Sequence, residues 1–462
     1  MNRFTSSPIP LRSRHRPALV LSILTLVGLA VTLAGEAQPP PACPNPPVAK
    51  ISAVLPDDVC IPAGFGGNPI AFFDDFSWRS FIALVWPVKT GERGVPATNL
   101  AVGGAGPKVF ETYKATWEIF HRDGSAPSPW NTYESHQHNA CDKSANFGDV
   151  VLASFSKFSD IGQAGVGNLV GPLVAQNRTY VRFLTGFNKI EFDQIATDSN
   201  KWYLRQNLPK TLTFENGAVD TKSAWLDMTG VGHPERYYTR TAWVMDPATG
   251  ECAPKTVGLI GLHIVQKTPS RPQWIWSTFE HVDLVKQAGA VPPFALNDES
   301  GTPMPAQNPF PINPLILPPP VAFNVDRLKP IHASTVATNE AYRQILKPQG
   351  AVWQFYQLVM TQWPVPENQP SLPGTPANTF PGFPAGTNDT SAYANLTMET
   401  FDQKKVQEGC MNCHNFTRVA TDFLWTLKTH AFPPNVPNLM FSDPSINGLR
   451  NLLEMSRPPG RQ

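Results

Sequence analysis

The chain has 462 residues, with 37 basic and 36 acidic side chains, 41% hydrophobic residues, 12 Trp and 27 Phe. That length and apolar content allow a sizeable core and exceed what one small domain needs, so at least two units are expected. The charge excludes the basic footprint of a nucleic-acid binder: with the four arginines and Glu36 of the first 37 residues removed, 33 bases face 35 acids, a net charge of −2.

Residues 1–37 read as a secretory signal. Arg3, Arg12, Arg14 and Arg16 form a basic n-region, Ala18 to Ala34 is a 17-residue apolar run, and Gly35 and Ala37 supply the small residues of a cleavage site. An uncleaved anchor is the alternative, for which the run is barely long enough. Cys43, behind Pro39, Pro40 and Pro41, is badly placed for a lipoprotein. The mature protein is therefore expected in the periplasm or otherwise exported, without a stable membrane span once the signal is cleaved. In such a compartment Cys43, Cys60, Cys141 and Cys252 default to two disulfides, and closeness along the chain favours Cys43–Cys60 and Cys141–Cys252.

Phe76 to Trp86 carries Phe76, Phe81, Leu84 and Val85 at helical spacing and stops at Pro87; Val109 to His121 does the same through Val109, Tyr113, Trp117 and Phe120. Between residues 179 and 282 the pattern turns to strands. Thr179 to Leu184, Tyr237 to Met245, Gly258 to Lys267 and Gln273 to Val282 are rich in β-branched and aromatic residues, and the last two suit a hairpin with a five-residue loop, Thr268 to Pro272. Helical spacing returns at Val352 to Met360. Pro-rich stretches at 292–320 and 364–386 read as surface connections. These residues, 38–386, predict an α+β front domain with an antiparallel sheet.

Three features of that domain invite a chemical reading. His136 and His138 lie near Cys141 in a polar loop, where solvated histidines are commoner than metal ligands. His263 and His281 fall on neighbouring strands and could face one cavity, but nothing places a nucleophile or paired carboxylate beside them, so a hydrogen-bonded structural role is the commoner outcome. Trp274, Trp276 and Thr278 alternate along one strand face and read as core.

The strongest chemical statement is Cys410-Met411-Asn412-Cys413-His414. In the spacing C-x-x-C-H, two thiols bond covalently to the two vinyl groups of one haem while the adjacent imidazole reaches the iron. No second close cysteine pair completes a four-thiolate zinc site, and the helical pattern before Cys410 does not suit a thioredoxin-like dithiol.

At these five residues the chain resembles the c-type cytochromes. From about Ser391 onward it is similar to the small class I cytochromes c: a helix ending at Gly409, the haem site, an apolar stripe through Phe416, Val419, Phe423, Leu424 and Leu427, a loop with Pro433, Pro434 and Pro437, then Met440, and a closing helix marked by Ile446, Leu449, Leu452 and Leu453. The resemblance implies a small all-α haem c-binding domain at 387–462, with one covalent haem c on Cys410 and Cys413 and His414 as proximal iron ligand. Met440, 26 positions after His414, is the first candidate for the distal ligand, with His430 the alternative and Met455 behind it. The function expected is that of an exported monohaem c-type cytochrome passing electrons to a redox partner protein. The alternatives are a haem-dependent, peroxidase-like oxidoreductase whose front domain holds a small-molecule substrate, and a binding or scaffold protein with a structural haem.

Overall fold

The computed structural model describes residues 42–134, 141, 147–152, 155–156, 161–162, 173–245, 251–302, 322–363, 393–403, 414 and 417–433. Contacts divide the chain into Met1–Ala42 and Cys43–Gln462; only the second is described further.

Its frame is an eight-stranded mixed sheet curled into a half-barrel. Strands β1 (Lys114–Ala115), β5 (Arg182–Phe187), β6 (Val219–Asp227), β8 (Cys252–Thr268), β7 (Thr239–Met245) and β2 (Val150–Leu152) follow one another across it, and β9 (Arg271–His281) and β10 (Tyr356–Gln362) branch from β8. The branch arises because β8 is 17 residues long: its Cys252–Gly258 half pairs with β7 and its Gly261–Thr268 half with β9. A separate short parallel pair joins β3 (Phe155–Ser156) to β4 (Ile161–Gly162).

Helix α1 (Ile70–Leu84) and helix α4 (Ala333–Leu346) cover one face of the sheet. Trp78 of α1 stacks on Tyr342 of α4 at 5.0 Å and meets Phe279 of β9 edge-on at 5.1 Å. α1 is buried almost all round, including its polar residues. Ser77 Oγ lies 2.7 Å from both Ser277 Oγ and Thr361 Oγ1, and Asp74 accepts hydrogen bonds from Thr335 and Thr361. The shorter helices are α2 (Thr116–Ile119), α3 (Lys189–Ala196), α5 (Arg418–Thr421) and α6 (Trp425–His430).

Burial pushes the Asp74 carboxyl up to about 7, against the two threonine hydroxyls that favour its charged form. The folded protein therefore keeps a proton that an unfolded carboxyl releases near about pH 3.9. Its contribution is full below that pH and is lost as pH rises toward 7. Asp74→Asn, neutral throughout, should gain on the wild type by on the order of 3–4 kcal/mol between pH 4 and pH 8. Urea midpoints at the two pH values measure this, and a difference that does not change with pH would refute it.

The architecture corrects several expectations. The sheet is mixed, since β2 runs parallel to β7; a three-residue strand carries too little alternation to be read in sequence. Val352 to Met360 is a 3-10 turn followed by β10, not a helix. The hairpin loop is the tight Pro269-Ser270, because Thr268 pairs directly with Arg271. Phe294, Ala295 and Leu296, in the first Pro-rich stretch, are buried in the core.

The largest correction concerns the C-terminal residues. No all-α cytochrome-like domain is present among the described residues. Residues 393–403 form turns and a 3-10 segment, and their Leu396, Met398 and Phe401 pack with Phe183, Ala224 and Ile260 of the sheet. Phe423, Leu424 and Leu427 join the main core with Phe214 and Trp274. These apolar side chains find their partners on the half-barrel instead of on each other. The boundary expected near 387 lies outside the described residues.

Candidate functional site

The site is built on the side of β9 that receives the tail. Cross-strand pairing sets Gly261 opposite Glu280 and His263 opposite Thr278, so these four share one face. Asn395 Nδ2 donates to Thr278 Oγ1 at 2.9 Å, Leu396 N donates to Glu280 Oε2 at 3.1 Å, and His263 Nε2 lies 2.9 Å from Glu399 Oε1. Glu280, fully buried, also pairs with Arg327. Gly261 is required by this docking: a Cβ there would collide with Thr397 Oγ1.

Toward the start of β9 the tail returns. Asp422 and Phe423 both adopt left-handed backbone, at φ 49° and 72°, a conformation costly for residues other than glycine and sustained only by surrounding contacts. Those contacts are specific. Asp422 Oδ2 accepts from Lys267 Nζ at 2.5 Å and from Phe214 N at 2.9 Å, and its carbonyl accepts from Trp274 Nε1 at 3.0 Å. Trp274 is itself left-handed, at φ 68°, within the stretch where β9 bulges against β8.

The turn so anchored presents the Phe423 carbonyl to His414, whose Nδ1 lies 2.7 Å from it. A carbonyl only accepts, so Nδ1 carries the proton, which in the neutral imidazole leaves the lone pair on Nε2. The His414 ring packs on Trp276 with centroids 4.4 Å apart, and Thr417 Oγ1 donates to the His414 carbonyl at 2.9 Å. Trp274 and Trp276, expected as core, are core and also the platform of the tail. The Phe423 carbonyl and the Lys267–Asp422 pair had no sequence signal beyond that tryptophan row.

Electrostatically the turn is backed by carboxyls. Burial raises the Asp422 carboxyl, and Lys267 opposes the rise. Glu191 of α3 is raised well above the ordinary range, first by burial and then by Asp220 and Asp422. Burial pushes Asp220 up to about 8.

The remaining expected residues fall as follows. His430, in the last turn of α6, has its Nδ1 2.8 Å from Thr429 Oγ1 and its ring 6.0 Å from Phe120. Cys410, Cys413, Met440 and Met455, with His136 and His138, lie outside the described residues. His263 and His281 do not share a cavity. His281 has the opposite parity to Glu280, stacks on Tyr237 at 3.8 Å, is bonded through Nε2 to Arg236 O and through Nδ1 to Asp283 N, and burial pushes it down to about 4. It is a neutral structural histidine. Both expected disulfides, Cys43–Cys60 and Cys141–Cys252, are present and mark an oxidising, non-cytosolic compartment. Among the described residues no cluster of three or more His, Cys, Asp or Glu could hold a metal ion, and no helix is long and apolar enough to cross a membrane.

Comparison with protein-family models, curated proteins and solved structures finds no match for this chain.

Proposed function

We propose that the protein is an exported, periplasmic monohaem c-type cytochrome that transfers electrons to a redox partner. The observation that carries this reading is the hydrogen bond from His414 Nδ1 to the Phe423 carbonyl, next to a C-x-x-C-H motif. A metal-ligating histidine needs its second nitrogen tied to an acceptor, which fixes the tautomer and ring direction and strengthens Nε2 as a donor. The donor set therefore fits haem c: Cys410 and Cys413 would hold it covalently and His414 Nε2 would bind the iron, with Met440, or His430 in its place, on the other side. Bound there, the haem supplies one-electron Fe(II)/Fe(III) exchange.

The chain's own part is orientation. The Asp422–Phe423 turn holds the imidazole from behind, and Trp276 blocks one side of the ring from water. The two disulfides support the compartment that covalent haem attachment requires.

Denaturing electrophoresis of protein made in a host with cytochrome c maturation tests the reading. The wild-type band should retain haem peroxidase stain, and Cys410→Ala with Cys413→Ala should abolish it. A wild-type band without stain sinks the proposal. Met440→Ala should then shift the ferric spectrum toward high spin and admit cyanide; an unchanged spectrum, with His430→Ala altering it, would assign the distal position to His430.

A further inference from the structure

The tail turn is seated beside two acids that the haem reading does not use. α3 lies over the start of β6, where Asn188 N donates to the Val219 carbonyl at 2.9 Å and Asn188 Nδ2 to the Gly217 carbonyl at 2.7 Å. The same stretch receives the tail, since Phe214 N donates to Asp422 Oδ2. Glu191 of α3 is thereby brought within electrostatic reach of both Asp220 of β6 and Asp422 of the turn.

Glu191 is 0% exposed, and both of its carboxyl oxygens are buried without a hydrogen bond. An ionised carboxylate so placed would have neither water nor a donor, so the group holds a proton in the folded chain. The cations around it are engaged. Lys267 of β8 is bonded to Asp422 and to the Pro272 carbonyl. Lys114 of β1, 5.4 Å from the Phe192 ring, donates to the Thr132 carbonyl and lies 3.7 Å from Glu134 and 3.9 Å from Glu118. Lys222 acts on Asp220, and on α3 itself Lys189 pairs with Asp193 at the surface. The remaining titratable neighbour is Tyr113, which burial and Glu191 keep neutral.

We propose that this contact is a pH-sensitive latch: the Asp422–Phe423 turn is held closed by protons on Glu191 and Asp220, and rising pH lifts it and frees His414 from the Phe423 carbonyl. Deleting the proton from either acid sets a new buried negative charge against Asp422, for which Lys267 is already spent. Where His414 binds iron, as proposed above, the same step decides whether that ligand is held from behind.

The direction follows from the two states. Burial raises both carboxyls in the closed form, Asp220 to about 8 and Glu191 well above the ordinary range. When the turn lifts, water reaches them and they return toward the ordinary value of about 4. The closed form thus holds protons that the open form gives up. Opening is least favourable near about pH 4 and grows as pH rises, about tenfold per pH unit for each carboxyl, until the closed-form value is reached and the effect levels off. Asp422, itself raised by burial against Lys267, acts in the same direction.

The test is hydrogen exchange of the full mature chain, read by mass spectrometry on peptides within 417–433 and corrected for the base catalysis of exchange itself. Between pH 5 and pH 7 the opening of the wild-type turn should rise by about a hundredfold for each coupled carboxyl, while Gly261–Thr268 of β8 stays protected. Glu191→Gln and Asp220→Asn, neutral at both pH values and close in shape to the protonated acids, should each remove about a hundredfold of that rise. An opening that does not change with pH, a rise that survives in both variants, or β8 amides that open in step with the turn would overturn the proposal. The readout needs no iron. A chain that stains for haem without this response loses the latch alone, and a chain with the response and no haem loses the cytochrome reading alone.

Discussion

Asp422→Ala is expected to lower the unfolding free energy by about 3–5 kcal/mol, because it leaves a buried lysine uncompensated. The Lys267 side chain is 4% exposed and has Asp422 as its carboxylate partner. Its remaining acceptor is the Pro272 carbonyl at 2.8 Å. The Phe214 amide loses its acceptor as well, and alanine tolerates φ near +49° less well than aspartate. Asp422→Asn, which keeps an oxygen for Phe214 and suits the left-handed backbone, should cost less. Urea unfolding with unchanged slope reads both values. A loss under about 1 kcal/mol for Asp422→Ala would show that the turn is held by something other than this pair. The same variant loosens the Phe423 carbonyl, so the His414 Nδ1 proton should exchange faster with water in proton NMR.

Removing the Cys141–Cys252 bridge should be at least as damaging. It closes 111 residues, against 17 for Cys43–Cys60. On the chain-entropy model the long loop is worth about 4–5 kcal/mol and the short one about 3 kcal/mol. Cys252 opens β8 opposite Met245, so the bridge ties the strand on which the sheet branches to the segment before β2. Thermal unfolding of Cys141→Ala/Cys252→Ala should show a lower midpoint than Cys43→Ala/Cys60→Ala. The reverse order would mean that native packing, not loop closure, governs these bridges.

Where the sequence was legible, one face of an element carried the signal. α1 announced itself through Phe76, Phe81, Leu84 and Val85, and β7, β8 and β9 through β-branched and aromatic runs. α4 stayed hidden because its buried face is Thr335, Asn339, Tyr342 and Leu346. Asn339 accepts from Trp78 Nε1 and donates to the Leu358 carbonyl, so this helix packs through hydrogen bonds that leave no hydrophobic period. β10 misled for another reason: it is buried along its whole length, with Leu358, Val359 and Met360 in a consecutive apolar run and Gln357, Thr361 and Gln362 buried beside them, so no period-2 alternation marks it as a strand. In the tail, Leu396, Met398 and Phe401 declared that something would be buried, but not against which surface. His414 was marked by its neighbouring cysteines. The carbonyl that orients it belongs to the backbone and has no residue signature.

The docking of the tail on β8 and β9 also sets an order of events during folding. Ser77 finds Thr361 across 284 positions, His263 finds Glu399 across 136, and Lys267 finds Asp422 across 155. Contacts of such sequence separation close late and slowly. Until residues 393–403, 414 and 417–433 arrive, the strand face of Trp274 and Trp276 stands open to water and to other chains, a surface prone to association. The histidine next to the cysteine pair reaches its oriented place only once these distant contacts form, because the Phe423 carbonyl that holds it depends on the Lys267–Asp422 pair.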